Sequence, residues 1–240
     1  MRMRKKKNSE SRLLACGKYL LKSEGLLQAP AAVIDAGLSR VLLEIGAGKG
    51  GFACAMAERH SDAAYFAMER VTDCVVLAAE KAASGEYGEL NNLRFLIDTA
   101  DNLMHIFPRE SVDSIFLNFS DPWSKKGYAK RRLTHRRYLA VYMNLLKDGG
   151  SLCFKTDNIG LFDFSLEEIE AMGLVPEIVT RDLHASRWND GNVMTEYEKN
   201  FSEQGMKINM LKLTKPVGFN PEISSEFLIK GEYRGNKDAE

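Results

Sequence analysis

The sequence predicts one α/β domain in which helices cover both faces of a mostly parallel, doubly wound sheet. Short apolar runs alternate with segments of helical periodicity through most of the chain, which is the pattern of parallel strands joined by crossover helices. The 240 residues are enough for one large domain with short extensions. A glycine-rich segment follows the first apolar run, at the position where such sheets bind their ligands.

Seven apolar runs have the length and composition of β-strands. In chain order they are Val41–Ile45, Ala64–Met68, Leu93–Ile97, Ser114–Asn118, Ser151–Lys155, Val175–Thr180 and Lys207–Leu213. We therefore expect a Rossmann-like, seven-stranded sheet.

Helical segments lie between these runs. They are Gly51–His60, Val71–Ala83, Arg131–Leu146 and Leu161–Met172. The third ends at Lys147-Asp-Gly-Gly150, which has the composition of a glycine stop at a helix C-terminus.

The strand–helix alternation divides the chain into three parts. Residues 38–215 form the predicted domain, residues 1–37 a basic N-terminal arm and helix, and residues 216–240 a C-terminal tail. The arm begins Met1-Arg-Met-Arg-Lys-Lys-Lys7. It fits either a solvated tail or a segment that contacts phosphates.

Composition restricts the class of protein. The 33 basic and 33 acidic residues cancel, so a nucleic-acid partner can be recognised only from local clusters of charge. The four cysteines and four histidines lack the spacing of a metal site. No apolar run approaches the ~18 residues that span a bilayer. We expect a cytoplasmic protein without a membrane partner, and both a monomer and a homodimer remain open.

The glycine-rich segment is Leu43-Glu-Ile-Gly-Ala-Gly-Lys-Gly-Gly51. Gly46, Gly48 and Gly51 also satisfy the G-x-G-x-x-G pattern of dinucleotide-binding enzymes. The loop could therefore bind either a dinucleotide or another nucleoside cofactor. Glu44 distinguishes these two ligands, because a carboxylate beside the loop attracts an ammonium group and repels a pyrophosphate. The methionine part of S-adenosyl-L-methionine carries such an ammonium group.

A second acid, Glu69, follows the second strand. A carboxylate at this position can accept hydrogen bonds from both hydroxyls of a ribose. The alternative is an ordinary solvated acid, but the glycine loop nearby favours a nucleoside ligand.

The fourth strand ends in Leu117-Asn-Phe-Ser-Asp-Pro-Trp-Ser-Lys-Lys126. Asp121 precedes Pro122, which favours an extended or turn conformation, and Trp123 offers a flat surface for a nucleobase. These residues could form a base pocket or merely an Asx turn. The following run, Lys125 to Arg137, contains seven Lys or Arg and no acid. It is typical of a phosphate-binding surface, although a solvated helix face is the alternative.

The sequence resembles the bacterial tRNA (guanine-N7)-methyltransferases. The matching pieces are Glu44-Ile-Gly-Ala-Gly-Lys-Gly50, Leu117-Asn-Phe-Ser-Asp-Pro-Trp123, Lys130-Arg-Arg-Leu133, Phe154-Lys-Thr-Asp-Asn158 and Thr195-Glu-Tyr-Glu198. They occur in the family's order between about residues 41 and 201, and together they are far more specific than any one of them.

The resemblance implies a class I methyltransferase fold, S-adenosyl-L-methionine as cofactor and tRNA as partner. It implies cofactor binding by Glu44, Gly46, Gly48, Glu69, Asp98, Thr99, Ala100, Asn118 and Asp121, with Asp121 also beside the reacting base as the catalytic residue. It implies tRNA binding by Lys125, Asp157, Thr195, Glu196, Tyr197 and Glu198. The Thr195 segment alone would also fit a simple helix start with a capping threonine.

The third strand departs from the family pattern. The family usually has Asp-Ala after this strand, whereas an ungapped reading gives Thr99-Ala100 with Asp98 one place early. Asp98 and Asp101 compete as acids near the adenine, so the adenine-binding residue stays open. Three other functions are also considered: a small-molecule or protein methyltransferase, a nicotinamide oxidoreductase and a non-catalytic RNA-binding module.

Overall fold

The computed structural model describes residues 8–22 and 25–228, and an eight-stranded sheet lies at the centre of this part of the chain. The strands are β1 (Leu20–Leu21), β2 (Arg40–Ile45), β3 (Ala63–Glu69), β4 (Leu93–Ile97), β5 (Val112–Asn118), β6 (Leu146–Thr156), β7 (Ile178–Thr180) and β8 (Asn209–Thr214). Their order is β1-β4-β3-β2-β5-β6-β8-β7, and β8 runs antiparallel to both of its neighbours. The predicted mostly parallel α/β fold is confirmed.

Every helix after α1 connects two consecutive strands, as the strand–helix alternation predicts, whereas α1 precedes β1. They are α1 (Ser9–Ala15), α2 (Pro30–Ile34), α3 (Gly51–Arg59), α4 (Thr72–Ala83), α5 (Leu103–Ile106), α6 (Arg136–Leu145), α7 (Ile159–Ala171) and α8 (Glu196–Ser202). The predicted bounds of α3, α4 and α7 differ from these by no more than two residues.

The predicted helix Arg131–Leu146 is shorter in the structure. A 3-10 helix, Lys126–Arg131, precedes it, and α6 begins only at Arg136. The backbone of Arg132 and His135 is extended, and His135 caps α6 by accepting a hydrogen bond from the Arg137 amide at 3.2 Å. Apolar periodicity does not reveal this start because Leu133, which lies in the turn before α6, also packs against the core.

The glycines after α6 have a different role from the predicted helix stop. α6 ends at Leu145, and Gly149 and Gly150 lie inside β6. Gly149 has φ of +76°, and a Cβ on Gly150 would lie 2.8 Å from the Lys147 carbonyl oxygen. Glycine is therefore required by an irregular stretch of β6, opposite the register shift between Val112 and Ser114 of β5.

The segments flanking the predicted domain also pack against it. Leu20–Leu21 pairs with β4 and adds the eighth strand to the predicted seven. At the other end, Ile223 and Phe227 are buried in the core. The basic arm of residues 1–7 and the last part of the predicted tail, 229–240, lie outside the described residues.

Both faces of the sheet are buried. Leu43, Phe66 and Ile115 belong to the core on one face, and Leu42 and Tyr65 to the core on the other, as the two-residue period of a strand requires. The strand order reverses between β2 and β5, so the crevice that binds ligands in such folds lies at their carboxyl ends.

The described residues contain no helix long and apolar enough to cross a membrane. The same part of the chain has no group of three His, Cys, Asp or Glu side chains arranged to hold a metal ion.

Candidate active site

The glycine loop turns sharply at the carboxyl end of β2. Gly46, Gly48 and Gly50 all have positive φ, and the amides of Gly46 and Ala47 donate to the Met68 carbonyl of β3 at 2.8 and 3.0 Å. A Cβ on Gly50 would lie 2.6 Å from the Ala78 Cβ. The glycines therefore let the loop fold against α4 while its backbone remains open to a ligand.

Glu69 is anchored beside this loop. Its Oε2 accepts a hydrogen bond from the Gly48 amide at 3.0 Å, and its Oε1 accepts one from the Val71 amide at 2.8 Å. The carboxylate thus links the glycine loop to the start of α4. The two predicted cofactor residues Gly48 and Glu69 are adjacent, as a nucleoside site requires.

Glu44 is a buried carboxylate at the end of β2, only 1% exposed. Asn118 of β5 donates to its Oε1 at 3.1 Å. Burial raises the pKa of Glu44 to about 7, although Asn118 and Lys155 favour the charged form. The Tyr65 hydroxyl also lies beside Glu44 and favours its charged form, but among the described residues Oε2 accepts no hydrogen bond of normal geometry. A buried acceptor in need of a donor suits the ammonium group of the cofactor's methionine part.

The loop after β4 is shaped by Asp98. Its Oδ1 accepts hydrogen bonds from the Thr99 amide at 2.8 Å and from Asn102 Nδ2 at 2.7 Å. Thr99 is half-buried, and Ala100 is buried at the start of a 3-10 turn. The competing acid, Asp101, is exposed and accepts a hydrogen bond from the Tyr138 hydroxyl at 2.8 Å. The Asp98 side chain therefore stabilises the loop that contains Thr99 and Ala100.

The loop from Asn118 to Trp123 has a strained backbone. Phe119 and Trp123 have φ of +51° and +42°, a region that non-glycine residues seldom adopt and that costs of order 1–3 kcal/mol each. The Phe119 amide donates to the Lys155 carbonyl of β6 at 2.9 Å. Strain of this kind is typical of sites where the chain positions a side chain for function.

Asp121 lies at the exposed tip of this strained loop. Its side chain is 70% exposed, and its Oδ2 is 3.7 Å from Nη2 of Arg70. Arg70 is the residue that follows Glu69 in the chain. The two acids that were predicted for the second and fourth strands are therefore joined through Arg70, for which the sequence had suggested no role.

Arg132 holds the strained loop from the other side. Its Nε donates to the Pro122 carbonyl at 2.9 Å and its Nη2 donates to the Trp123 carbonyl at 3.2 Å. Arg136 pairs with Glu168 and Arg137 pairs with Glu226, each at 2.9 Å. Three of the seven cations in the basic run therefore form hydrogen bonds or ion pairs within the protein.

The remaining four cations, Lys125, Lys126, Lys130 and Arg131, are exposed. None of them has an ion pair among the residues that the structure describes. These are the members of the run that can bind phosphates.

The ends of β5, β6 and α8 meet in an aromatic cluster. Tyr197 stacks on Phe201 with ring centroids 4.1 Å apart and lies 4.9 Å from the Phe119 ring. Burial and the nearby Asp157 carboxylate raise the pKa of the Tyr197 hydroxyl. The predicted residues Asp157 and Tyr197 therefore lie close together next to the strained loop.

Thr195 and Glu198 form a capping box at the start of α8. The Glu198 amide donates to the Thr195 hydroxyl at 2.9 Å, and the Glu198 carboxylate accepts from the Thr195 amide at 3.4 Å. The alternative interpretation of this motif, a helix start with a capping threonine, is thus confirmed for the Thr195 side chain.

The Glu198 side chain is fully buried and surrounded by donors. Lys155 Nζ approaches Oε2 at 2.6 Å, whereas His184 and Asn192 contact Oε1 at 2.9 and 2.7 Å. Burial alone would raise the pKa of Glu198, but these partners, with Lys155 first, lower it. Glu198 was predicted to bind tRNA, yet in this structure its oxygens are occupied by protein groups.

Lys155 was not identified as a functional residue from the sequence. It lies on β6 in the Phe154-Lys-Thr-Asp-Asn158 motif, and its Nζ also donates to the Val193 carbonyl at 2.9 Å. A lysine within an otherwise apolar strand was the available signal, because such a charge needs a buried partner.

Residues 191–198, which we call the covering segment, lie along α3, with Gly191 near the end of the helix and Glu196 near its start. Arg59 donates to the Gly191 carbonyl, Lys81 pairs with Glu196, and Lys155 holds Glu198. A Cβ on Gly51 would lie 3.1 Å from the Glu196 Cγ. Glu196 therefore packs beside the glycine loop, although its side chain stays half exposed.

Comparison with known proteins agrees with this geometry. Residues 39–211 match a family described as "Putative methyltransferase". The tRNA (guanine-N(7)-)-methyltransferase of Clostridioides difficile (strain 630) is 38% identical over 209 residues, covering 87% of this chain and 96% of that protein. The enzyme of the same name from Bacillus subtilis (strain 168) is 42% identical over 166 residues, 69% of this chain and 76% of that protein.

Solved structures support the fold. The 16S rRNA (adenine(1408)-N(1))-methyltransferase from Catenulisporales acidiphilia, solved with its cosubstrate SAM, superposes with a TM-score of 0.53 at 14% identity, covering 80% of this chain and 92% of that one. At this identity the likeness concerns the fold alone. The sequence matches extend over most of the chain, and they show that it belongs to the tRNA (guanine-N7)-methyltransferase family.

Proposed function

We propose that this protein transfers a methyl group from S-adenosyl-L-methionine to N7 of a guanine in the variable loop of tRNA. The observation that carries the proposal is the strained loop after β5, which holds Asp121 at the carboxyl edge of the sheet beside the glycine loop and its acids. In this fold that edge is where cofactor and substrate meet.

The cofactor is held by residues around the glycine loop. In our proposal Gly46 and Gly48 let the backbone approach it, Glu44 attracts its ammonium group and Glu69 accepts from its ribose hydroxyls. Thr99 and Ala100 border the adenine, while Asp98 braces their loop. Asn118 orients Glu44.

The reacting guanine lies between the strained loop and α8. In our proposal Asp157 and Tyr197 contact the base, and Lys125 contacts a phosphate. Thr195 and Glu196 fix the covering segment, and Glu198 holds it from inside, since both its oxygens already have protein partners. Glu198 then supports the tRNA site without direct contact with RNA.

The chemistry needs positioning more than proton transfer. The bound cofactor supplies an electrophilic methyl group on a sulfonium. Guanine N7 has a free lone pair and no proton, so the protein needs no general base to create the nucleophile. It must align N7 with the methyl carbon and the leaving sulfur. The Asp121 carboxylate stabilises the positive charge that the purine gains.

The other candidate functions leave part of the site without a purpose. A small-molecule substrate would leave the four exposed cations beside Asp121 unexplained. A nicotinamide dinucleotide would bring its pyrophosphate close to Glu44, and the two negative charges would repel.

The test is methylation of total tRNA with radiolabelled S-adenosyl-L-methionine, followed by nucleoside analysis. We expect label in 7-methylguanosine, and no label when the target guanosine of a tRNA transcript is replaced by adenosine. Label in another nucleoside, or only in protein or small molecules, would contradict the proposal.

A further inference from the structure

Three side chains form a surface platform at the end of the strained loop, of which Tyr128 and Arg131 are exposed and Trp123 is half-buried. The rings of Trp123 and Tyr128 meet edge to face with centroids 5.9 Å apart. The guanidinium of Arg131 lies 5.1 Å from the Trp123 ring and 4.8 Å from the Tyr128 ring. We call Trp123, Tyr128 and Arg131 the platform.

The platform is not part of the protein core. Tyr128 is 41% exposed, and Arg131 is exposed as well. Large aromatic rings left open to solvent next to a site are typical of surfaces that bind a partner. Cations over aromatic faces also keep the rings in a fixed orientation.

The position of the platform is fixed relative to Asp121. Arg132 hydrogen-bonds the carbonyls of Pro122 and Trp123, and the Arg132 guanidinium itself lies 4.3 Å from the Phe164 ring of α7. Two aromatic rings at right angles, the first of them two residues after Asp121, are therefore held next to the strained loop.

Positive charge surrounds the platform. Lys125, Lys126 and Lys130 are exposed and lack ion pairs within residues 8–22 and 25–228. Flat rings, a guanidinium plane and free ammonium groups together match the base and the flanking phosphates of a single-stranded nucleotide.

We propose that the platform stacks the nucleobase of a nucleotide adjacent to the target guanosine in the tRNA. This proposal rests on the proposed tRNA function and adds a second base site to it. Holding the neighbouring base apart from the stack would lower the cost of moving the target guanine into the site, because it removes one of the two stacking contacts that the guanine must lose. Stacking does not distinguish strongly between bases, so the site should accept any of the four.

The test uses tRNA transcripts with 2-aminopurine on either side of the target guanosine, since the fluorescence of this base changes when it stacks on an aromatic ring. Wild-type protein should change the fluorescence at one of the two neighbours. Tyr128→Leu, which keeps the bulk but not the ring, should remove most of this change and weaken tRNA binding by about 10-fold. Arg131→Gln should act in the same direction.

Arg40→Gln is the matched control, because Arg40 is an exposed arginine at the amino end of β2. Its fluorescence change and its Kd for tRNA should equal those of the wild type. Equal values for Tyr128→Leu, or no fluorescence change at either neighbour with wild-type protein, would overturn the platform proposal.

Binding and fluorescence are measured without cofactor, so this test does not depend on methylation. A protein that stacks the probe but makes no 7-methylguanosine would contradict the proposed function and leave the platform supported.

Discussion

Two carboxylates of the site, Glu44 and Asp121, have opposite surroundings. Glu44 is buried beside Asn118, and Asp121 is exposed beside Arg70. Burial raises the pKa of Glu44 to about 7, whereas the Asp121 carboxylate is open to solvent beside a guanidinium. The two acids are therefore suited to different tasks, cofactor capture for Glu44 and stabilisation of the methylated base for Asp121.

Asp121→Asn should slow the chemical step and leave the fold intact. The change keeps the size of the side chain but removes the negative charge near the cationic product, and loss of one such interaction typically lowers turnover by about 10²–10³. Single-turnover methylation of tRNA at saturating cofactor measures the rate, and a thermal melt of the same sample checks folding.

Asp62→Asn is the control for Asp121→Asn. Asp62 is also exposed and pairs with an arginine, Arg40, but it precedes β3 at the opposite edge of the sheet. Its rate should match the wild type. A folded Asp121→Asn protein with wild-type rate would assign Asp121 to turn formation only.

Glu44 should make cofactor binding pH-dependent. Its pKa in the free protein is raised to about 7, and only the ionised form attracts the cofactor's ammonium group. Affinity should therefore increase about 5- to 10-fold from pH 6 to pH 7.4, before the cofactor's own α-amino group begins to lose its proton near pH 8. Calorimetric titration with S-adenosyl-L-methionine across this range measures the effect.

Glu44→Gln should bind more weakly and lose this increase with pH. Glu69→Gln is the comparison, because it should also bind more weakly but retain the increase. A pH profile of Glu44→Gln that still rises between pH 6 and 7.4 would assign the titration to another group.

At the scale of elements, the sequence predicted those features that depend on neighbours along the chain. The strands β2 to β6, the glycine loop and the acids that follow each strand all come from local patterns. The roles of Lys155 and Arg132 could not be predicted in this way, because their partners are 43 and about 10 residues away and meet them only in the folded chain. The capping box at Thr195 was visible in the sequence, but the burial of Glu198 was not.

Lys155→Met should destabilise the fold by about 3–5 kcal/mol, since it leaves Glu198 buried without its cation. The double variant Lys155→Met/Glu198→Gln, which removes both charges, should recover most of that loss. Urea unfolding measures the free energies.

Lys147→Met provides the control on the same strand. Lys147 pairs with Asp113 at 2.8 Å but is 39% exposed, so its removal should cost no more than about 1 kcal/mol. If Lys155→Met costs no more than Lys147→Met, the buried pair does not hold the covering segment.

The basic run should contribute to tRNA binding only through its unpaired members. Lys126→Gln/Lys130→Gln should weaken tRNA binding and reduce the slope of log Kd against log salt concentration by up to about 2, since each phosphate that a lysine neutralises adds about one to the slope. Arg136→Gln, which removes a charge that is already paired with Glu168, should leave the slope nearly unchanged. A slope that Lys126→Gln/Lys130→Gln does not alter would make the run a solvated surface.

At the scale of the whole molecule, the two ends of the sheet carry different features. The carboxyl ends of β2 to β6 carry the glycine loop, the acids and the strained loop, whereas a cavity of about 400 Å³ at the amino ends of β1 to β4 is lined by both signs of charge.

The segment after β8, predicted as a tail, connects the core to the carboxyl end of the sheet. Glu226 pairs with Arg137, which donates to the Tyr138 hydroxyl, and that hydroxyl donates to Asp101 after β4.

Phe227→Ala should therefore affect both stability and cofactor binding. Phe227 is 1% exposed and packs edge to face on Tyr138 with centroids 5.2 Å apart, and truncation of a buried phenylalanine costs about 3–5 kcal/mol. The loop of Thr99 and Ala100 loses part of its support, so the Kd for S-adenosyl-L-methionine should increase several-fold. Leu228→Ala, next in the chain but 54% exposed, should change stability by no more than about 0.5 kcal/mol. Urea unfolding and calorimetry on both variants test this, and equal results for Phe227→Ala and Leu228→Ala would show that the segment is a dispensable tail.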